Sequence, residues 1–312
     1  MNTLIMTIGV SGSGKSTWAK EHKEIVLNYD DVDDIFIVSS DAIRAELFGD
    51  ESDQTHNKEV FDELHKRIIN IFKNNNNVDV IYDATNLSRK RRINFLNMLD
   101  SNIKRVAKVF PSTYEDAVKR VNMRERKVPE EVIRRQFKQM EFPQWYEGWD
   151  EIDFRCNDVV NKDKVLCDMN IEHDNHHHAK NILNHSFSVA SHFIDHFDWV
   201  FGAALYHDCG KPFAKQFKNT KGEPTEEAHY YGHEHYGAQL SLMFGDTTKS
   251  KLIARAQLID LHMEHYRLSD KKLEELYYLM DYCKVPNYIE NLGLRPDSRM
   301  LKNLNNADKA EA

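Results

Sequence analysis

The sequence predicts two domains of different class: an α/β unit whose parallel sheet carries helices on both faces, then an all-α unit. Three observations predict this. Short runs rich in Val, Ile and Phe alternate with helical patterns as far as about residue 155, the order that crossover units and a parallel sheet require. From about residue 172 the strand signals stop and helical patterns alone follow. Thirteen of the sixteen histidines fall between His173 and His265, so the second half carries different chemistry. The domains are expected over 1–155 and 172–290, with a polar linker at 156–171 and a frayed tail at 291–312.

The strands are expected at 4–9, 35–39, 78–83 and 105–110, where β-branched and aromatic residues suit a buried pleated surface. Helical patterns lie between them near 15–22, 54–73 and 88–99, and after them near 114–123 and 129–140. The asparagine run at 74–77 is a loop entering the third strand. In the second half, helical patterns lie near 177–195, 199–207, 234–243, 249–264 and 270–282, with Gly, Pro and Lys-rich breaks between them.

Composition excludes several classes. With 312 residues, 41% of them hydrophobic, the chain can bury two ordinary cores and is no disordered tail. No apolar run approaches the roughly 20 residues of a membrane span. The first strand starts at Thr3 and leads straight into functional-looking residues that a cleaved leader would remove, so secretion is not expected. Cys156, Cys167, Cys209 and Cys283 form no CxxC pair, which suits free thiols in a reducing cytoplasm. A net charge of −8 disfavours a basic nucleic-acid coat. Yet residues 104–138 hold eleven Lys and Arg against five Asp and Glu, and Arg89-Lys90-Arg91-Arg92 precedes them. A local basic surface of that kind suits a phosphate-bearing ligand; a solvated helix face is the plain alternative.

Gly9-Val10-Ser11-Gly12-Ser13-Gly14-Lys15-Ser16 fits G-x-x-x-x-G-K-[ST] at every fixed position, after a strand and at the start of a helix. Glycines let backbone N–H groups turn inward around phosphates, and the helix N-terminus adds its dipole. Gly9, Ser11, Gly12, Ser13, Gly14, Lys15, Ser16 and Thr17 are therefore expected to bind ATP or another NTP. Lys15 would reach the β and γ phosphates, and Ser16 would ligate Mg²⁺. Asp41 stands just past the second strand, where the ligands of open α/β sheets sit. A carboxylate there can orient and deprotonate a hydroxyl; helix capping is its ordinary alternative. Arg44 lies on the same face of that helix. Tyr82-Asp83-Ala84-Thr85-Asn86 forms another polar strand end at the same edge.

The P-loop, Ser39-Ser40-Asp41-x-x-Arg44, Asp83-Ala84-Thr85-Asn86 and the arginine-rich helix resemble the 5′-hydroxyl polynucleotide kinases of nucleic-acid repair. Glu141-Phe142-Pro143 and Glu147-Gly148-Trp149 resemble the segment after that family's lid, and the likeness covers about 1–155. The resemblance implies that Asp41 is the general base on a 5′-OH and that Arg44 contacts the acceptor's adjoining phosphate. It also implies that Asp83 supports that arginine, and that Arg120, Arg124 or Arg126 from the lid stabilises the transferring phosphoryl group.

In the second half, His207-Asp208 near the end of an apolar helix has company in His185, His233, His262 and Asp281, each on its own expected helix. Imidazole and carboxylate without thiolate suit Mn²⁺, Fe²⁺, Co²⁺, Ni²⁺ or Zn²⁺ in an open, catalytic site of one or two metals. Asp260 and His265 are rivals for the last ligands. These positions resemble the HD phosphohydrolase superfamily. Asn175-x-x-His178, His207-Asp208-x-Gly210-Lys211-Pro212 and Gly232-His233-Glu234-x-x-Gly237-Ala238 are similar to the HD domains of bacterial CCA-adding enzymes, which act as 2′,3′-cyclic phosphodiesterases and phosphatases. The resemblance covers about 172–290. It implies a first metal on His185, His207, Asp208 and Asp281, a second on His233 and His262, Lys211 on the scissile phosphate, and His178 near the substrate. His176, His177, His192, His196, His229 and His235 have bland readings as loop or helix-face residues.

Together the two halves predict a bifunctional enzyme that heals nucleic-acid ends, RNA preferred and DNA as the alternative, with an RNA ligase as a candidate partner. A nucleotide or small-molecule kinase fused to a nucleotide phosphohydrolase keeps the same folds. A sensor that binds nucleotide without turnover is a third class, disfavoured by the intact Lys15, Ser16, Asp41, His207 and Asp208.

Overall fold

The computed structural model describes residues 1–29, 32–176 and 179–312. His177 and His178 therefore lie outside the described residues. The chain divides into two compact units. One comprises Met1–Ile133 and Glu147–Arg155; the other comprises Arg134–Tyr146 and Cys156–Ala312.

The first unit runs β1 (Thr3–Ile8), α1 (Lys15–Tyr29), β2 (Asp34–Ser39), α2 (Ser40–Phe48), α3 (Asn57–Asn74), β3 (Val78–Asp83), α4 (Arg89–Leu96), β4 (Lys104–Val109) and α5 (Tyr114–Asn122). Helix α6 (Glu130–Gln139) then carries the chain into the second unit, and β5 (Glu151–Phe154) returns to the first. The sheet order is β2-β3-β1-β4-β5, every pair parallel. A parallel sheet is covered on both faces, so its strands read as continuous apolar runs. Leu4, Ile5, Met6 and Ile8 are all buried, as are Val78, Val80 and Ile81. Ile5, Ile35, Ile81 and Val106 pack with Trp18, Ala19, Val26 and Phe110 in one such core. β5 escapes the sequence because four half-polar residues, Glu-Ile-Asp-Phe, carry too little β signal on an edge.

The second unit runs α7 (Lys162–Asp168), α8 (Ile182–Ser191), α9 (Asp198–Tyr206), α10 (Lys211–Ala214), β6 (Gln216–Lys218), β7 (Pro224–His229), α11 (His233–Leu242) and α12 (Lys249–Leu261). It ends in α13 (Glu264–Arg267), α14 (Asp270–Tyr282), α15 (Asn287–Asn291) and α16 (Ser298–Glu311). Helix α12 is buried all round from Leu252 to Leu261, as a central core helix must be. Its polar members find partners for some of their atoms. Arg255 grips both oxygens of Asp246 at 3.1 and 3.0 Å, and Gln257 donates to the Pro143 carbonyl.

Three expectations change here. The second unit is not wholly helical: β6 and β7 form an antiparallel hairpin. Its turn is built by the Asn219 side chain, which accepts from Lys221 N and Glu223 N. The strand Pro-Thr-Glu-Glu-Ala-His is mostly polar on both faces, so it lacks the alternation that reveals a half-buried strand. Residues 156–171 are no bare linker, because Asn161 caps α7 by accepting from Asp163 N and Lys164 N. The tail is no frayed end either. Asp297 caps α16 at Met300 N, and Leu301, Leu304 and Ala307 bury one stripe of it. Among the described residues no helix is long and apolar enough to cross a membrane, and Cys156, Cys167, Cys209 and Cys283 are free thiols.

Candidate active sites

The loop between β1 and α1 is shaped by its glycines. Gly12 and Gly14 have φ of 84° and 95°, the left-handed region that glycine enters without steric cost. A Cβ on Gly12 would lie 2.4 Å from the Ala117 carbonyl oxygen, so no other residue fits. Lys15 turns back into this loop, donating from Nζ to Val10 O at 2.7 Å and Ser13 Oγ at 3.3 Å. Burial pushes the Lys15 ammonium down to about 8, against the pull of Asp83 and with the help of Arg124. A buried cation ringed by loop carbonyl and hydroxyl oxygens is poised to exchange those weak partners for phosphate oxygens.

Asp83 ends β3, in register with Ser39 at the end of β2. Its carboxylate accepts from Ser16, and burial raises it above the usual carboxylate range although Lys15 opposes this. Asp83 was expected to support Arg44; the structure places it instead with Ser16 and Lys15. The reason is the strand order: β3 is the direct neighbour of β1, so its end meets the loop that β1 feeds. Ser16 and Asp83 together fit a Mg²⁺ ion, the hydroxyl and the acidic strand end that P-loop enzymes pair.

Asp41 is not the cap of α2, whose N-cap residue is Ser39. Its two oxygens go to two arginines: Oδ1 accepts from Arg44 Nη1 at 2.6 Å and Oδ2 from Arg126 Nη1 at 2.7 Å. The side chain remains 49% exposed while that of Arg44 is 5% exposed, so the carboxylate faces solvent from a fixed base. Arg44 is fixed in turn by Asn57 Oδ1 at 3.1 Å. The lid arginines separate. Arg120 donates to Ser112 Oγ at 3.2 Å, Arg124 acts on Lys15, and Arg126 holds Asp41.

The arginine-rich helix is only partly a surface. Arg92 is 1% exposed and makes a bidentate pair with Glu147, Nε to Oε2 and Nη2 to Oε1, each 2.8 Å. Trp149 Nε1 donates to the same Oε2, and Arg89 Nε lies 3.9 Å from Oε1. Glu147 thus neutralises the inner face of α4, leaving Lys90 and Arg91 exposed. Glu141-Phe142-Pro143 belongs to the second unit, where Phe142 N donates to Asp260.

In the second unit His207 and Asp208 stand just past the end of α9. A Cβ on Gly210 would meet the His233 carbonyl oxygen at 2.0 Å, so glycine there lets this turn press against the start of α11. Two groups of ligating atoms converge: His185, His207 and Asp208, and Asp208, His233 and His262. Asp208 serves both. Its Oδ2 lies 3.7 Å from His185 Nε2 and 3.4 Å from His207 Nε2. Its Oδ1 lies 3.1 Å from His233 Nε2 and 3.8 Å from His262 Nε2.

Every ring in the cluster is oriented from behind. The Nδ1 atoms of His185, His207, His233 and His262 face the carbonyl oxygens of Glu311, Ala204, Tyr230 and Ile259 at 3.2, 2.7, 2.8 and 2.6 Å. A carbonyl only accepts, so each Nδ1 donates and each Nε2 turns its lone pair inward. Those lone pairs meet carboxylate oxygens, and His233 Nε2 lies 3.2 Å from His262 Nε2. Such a set of inward-facing acceptors could hold a cation. Imidazole and carboxylate donors fit a divalent transition metal. Where protons take its place, the outcome is uneven. Burial opposes charge on His207, yet Asp208 and Asp308 hold it charged up to about 10. Burial and the charge of His233 push His262 down to about 3.

Asp308, on α16, completes the first group: its Oδ1 lies 2.9 Å from His185 Nε2 and 3.5 Å from His207 Nε2. Asp281 was expected there. It serves instead as an anchor for α16, accepting from Ser298 N at 2.8 Å and Ser298 Oγ at 2.7 Å. Asp260 is committed to His235 Nδ1 at 2.8 Å and Phe142 N at 2.9 Å, and His265 Nδ1 donates to the His262 carbonyl. Lys211 Nζ lies 2.7 Å from Asp208 Oδ2 and donates to His173 Nε2 at 3.2 Å. His173, absent from the expected site, is kept neutral because burial and Lys211 push it down to about 4. Only its place in the histidine-rich stretch could have drawn notice.

Comparison with known proteins adds the following. Residues 4–143 match the AAA_33 family model, an AAA domain, so this part of the chain is a P-loop kinase-like domain. No curated protein matches. Among solved structures, a Pnkp1/Rnl/Hen1 complex is 26% identical over 41% of this chain and 41% of that one, with a TM-score of 0.33. A Pnkp1/Rnl/Hen1 RNA repair complex is 23% identical over 45% and 44%, with a TM-score of 0.37. A gluconokinase from Sinorhizobium meliloti 1021 is 17% identical over 49% and 82%, with a TM-score of 0.35. The chain spans less than half the length of the first two.

Proposed function

We propose that this chain heals RNA ends from both sides. The first unit would transfer the γ-phosphoryl group of ATP to a 5′-OH. The second would remove a 2′,3′-cyclic phosphate or a 3′ (or 2′) phosphate. RNA cut through its 2′-OH carries those two ends, and a ligase needs the opposite polarity.

In the first unit the acceptor oxygen attacks the γ phosphorus, the bond to the β–γ bridging oxygen breaks, and Asp41 takes the hydroxyl proton. Arg44 fixes the carboxylate from its buried side and would contact the acceptor's neighbouring phosphate. Lys15 and the loop N–H groups hold the leaving phosphates.

In the second unit, divalent metal held by His185, His207, Asp208 and Asp308, and by Asp208, His233 and His262, would supply Lewis acidity and hydroxide near neutral pH. The carbonyls behind the rings keep the ligands aimed inward. Lys211, buried beside Asp208, offers its ammonium to a phosphate oxygen. The observation that carries this reading is the division of Asp208 between two histidine groups, one oxygen to each.

The test is an RNA strand with a 5′-OH and a 2′,3′-cyclic phosphate, given ATP, Mg²⁺ and Mn²⁺ or Ni²⁺, with both ends resolved by mass. Gain of the 5′ phosphate and loss of the 3′ phosphate are expected. Lys15→Ala should abolish only the first and Asp208→Ala only the second. The burial of Arg89 and Arg92 against Glu147 favours one rival, a nucleotide kinase fused to a nucleotide phosphohydrolase, because it removes charge from the basic surface. Unchanged RNA beside turnover of mononucleotides would select that rival.

A further inference from the structure

An exposed aromatic residue, Tyr266, contacts residues on two helices that also carry or adjoin candidate metal ligands. Tyr266 sits on α13, four residues after His262, and its side chain is 56% exposed. Its ring centroid lies 3.7 Å from that of His265, and His265 Nδ1 is tied to the His262 carbonyl at 2.8 Å. Lys309, the residue after Asp308, brings its Nζ to 5.5 Å from the Tyr266 centroid. A lone exposed aromatic is ordinary. This one is flanked by a histidine ring and a lysine, beside buried groups that converge as phosphoester sites do.

We propose that Tyr266 is the platform on which the base of the terminal nucleotide stacks, so that the second site takes base-bearing ends rather than base-free phosphate esters. The proposal rests on the phosphoesterase reading of that site. Stacking on an aromatic ring accepts any base and requires no hydrogen-bond readout. Lys309, beside the ring, would meet the negative backbone of the same strand.

The experiment compares two short 5′-phosphorylated RNAs ending in a 3′ phosphate, identical except that the terminal nucleotide of one is abasic. With the full chain and Mn²⁺, Tyr266→Ala should raise KM for the base-bearing RNA roughly tenfold or more, as loss of a stacked base does. It should leave the abasic RNA unchanged, and Tyr266→Phe should match the wild type on both. Anisotropy of the labelled RNAs in EDTA should show the same order of affinities without any metal. Equal effects of Tyr266→Ala on the two RNAs would overturn the platform, and so would a Phe variant as impaired as Ala, which would assign the effect to the hydroxyl. If the wild type turns over neither RNA yet binds the base-bearing one more tightly through Tyr266, the platform stands and the phosphoesterase reading fails.

Discussion

Asp308 Oδ1 lies 2.9 Å from His185 Nε2, joining α16 to the first candidate metal-ligand group. Glu311 reinforces the join. Its carbonyl faces His185 Nδ1, and its carboxylate reaches Lys180 and His192. Asp308→Ala is therefore expected to lower metal content and cut phosphoesterase turnover by two orders of magnitude or more, while leaving the kinase within about twofold. Asp281→Ala should behave differently, costing about 1 kcal/mol of stability through the lost anchor at the start of α16 and keeping its metal. Elemental analysis beside both activity assays separates the two variants.

The Arg92–Glu147 pair makes an opposite claim about a residue that reads as surface charge. Removing one partner of a buried bidentate pair strands the other charge, at a cost of about 3–5 kcal/mol. Arg92→Ala should lower the melting temperature of the first unit and take ATP binding with it. The exposed neighbour Arg91→Ala should leave melting unchanged. Thermal melts of the two variants decide whether α4 is held by this pair.

These two cases show what the sequence could and could not reveal. The P-loop was legible because its function requires a contiguous string of glycines, lysine and serine. His185, His207, His233 and His262, which the structure gathers around Asp208, stood out in the sequence as an uncommon residue type clustered in one stretch. Asp308 did not. Leu301, Leu304 and Ala307 are a thin stripe among lysines and asparagines, so the helix that delivers it carries almost no periodic signal. Arg92 and Asp83 failed for a different reason. Their partners, Glu147 and Ser16, lie 55 and 67 positions away, and sheet order, which no local pattern contains, brings each pair together. β5 and the β6–β7 hairpin were lost because short polar strands lack alternation.

Lys15 gives the first unit a distinctive response to pH. Its ordinary value is 10.5 and burial brings it to about 8. Between those values the folded chain binds fewer protons than the unfolded one, so this group adds stability as pH rises through that window. Nucleotide has the reverse effect, since polyphosphate favours the charged ammonium. ATP binding near pH 8 should therefore take up protons, and affinity should fall as pH rises above about 8. Calorimetry in buffers of different ionisation enthalpy measures the uptake directly. Lys15→Ala should abolish both the uptake and the kinase activity.

His207 sets the sign for the second unit. Without metal, Asp208 and Asp308 hold its ring charged to about 10 although burial opposes them, against an ordinary value of 6.5. Its contribution to stability is then complete below pH 6.5 and disappears as pH rises through about 10. A divalent metal replaces that proton and needs a neutral ring, so its binding strengthens with pH over the same window. In EDTA the second unit should lose melting temperature from pH 7 to pH 10, and with Mn²⁺ it should lose much less, so the gap between the two curves should widen with pH. His207→Gln lacks the titrating ring and should show a flat metal-free profile and a narrow gap. Parallel pH profiles for the metal-free and Mn²⁺-treated wild type would show that the His207 proton and the metal do not compete for one place.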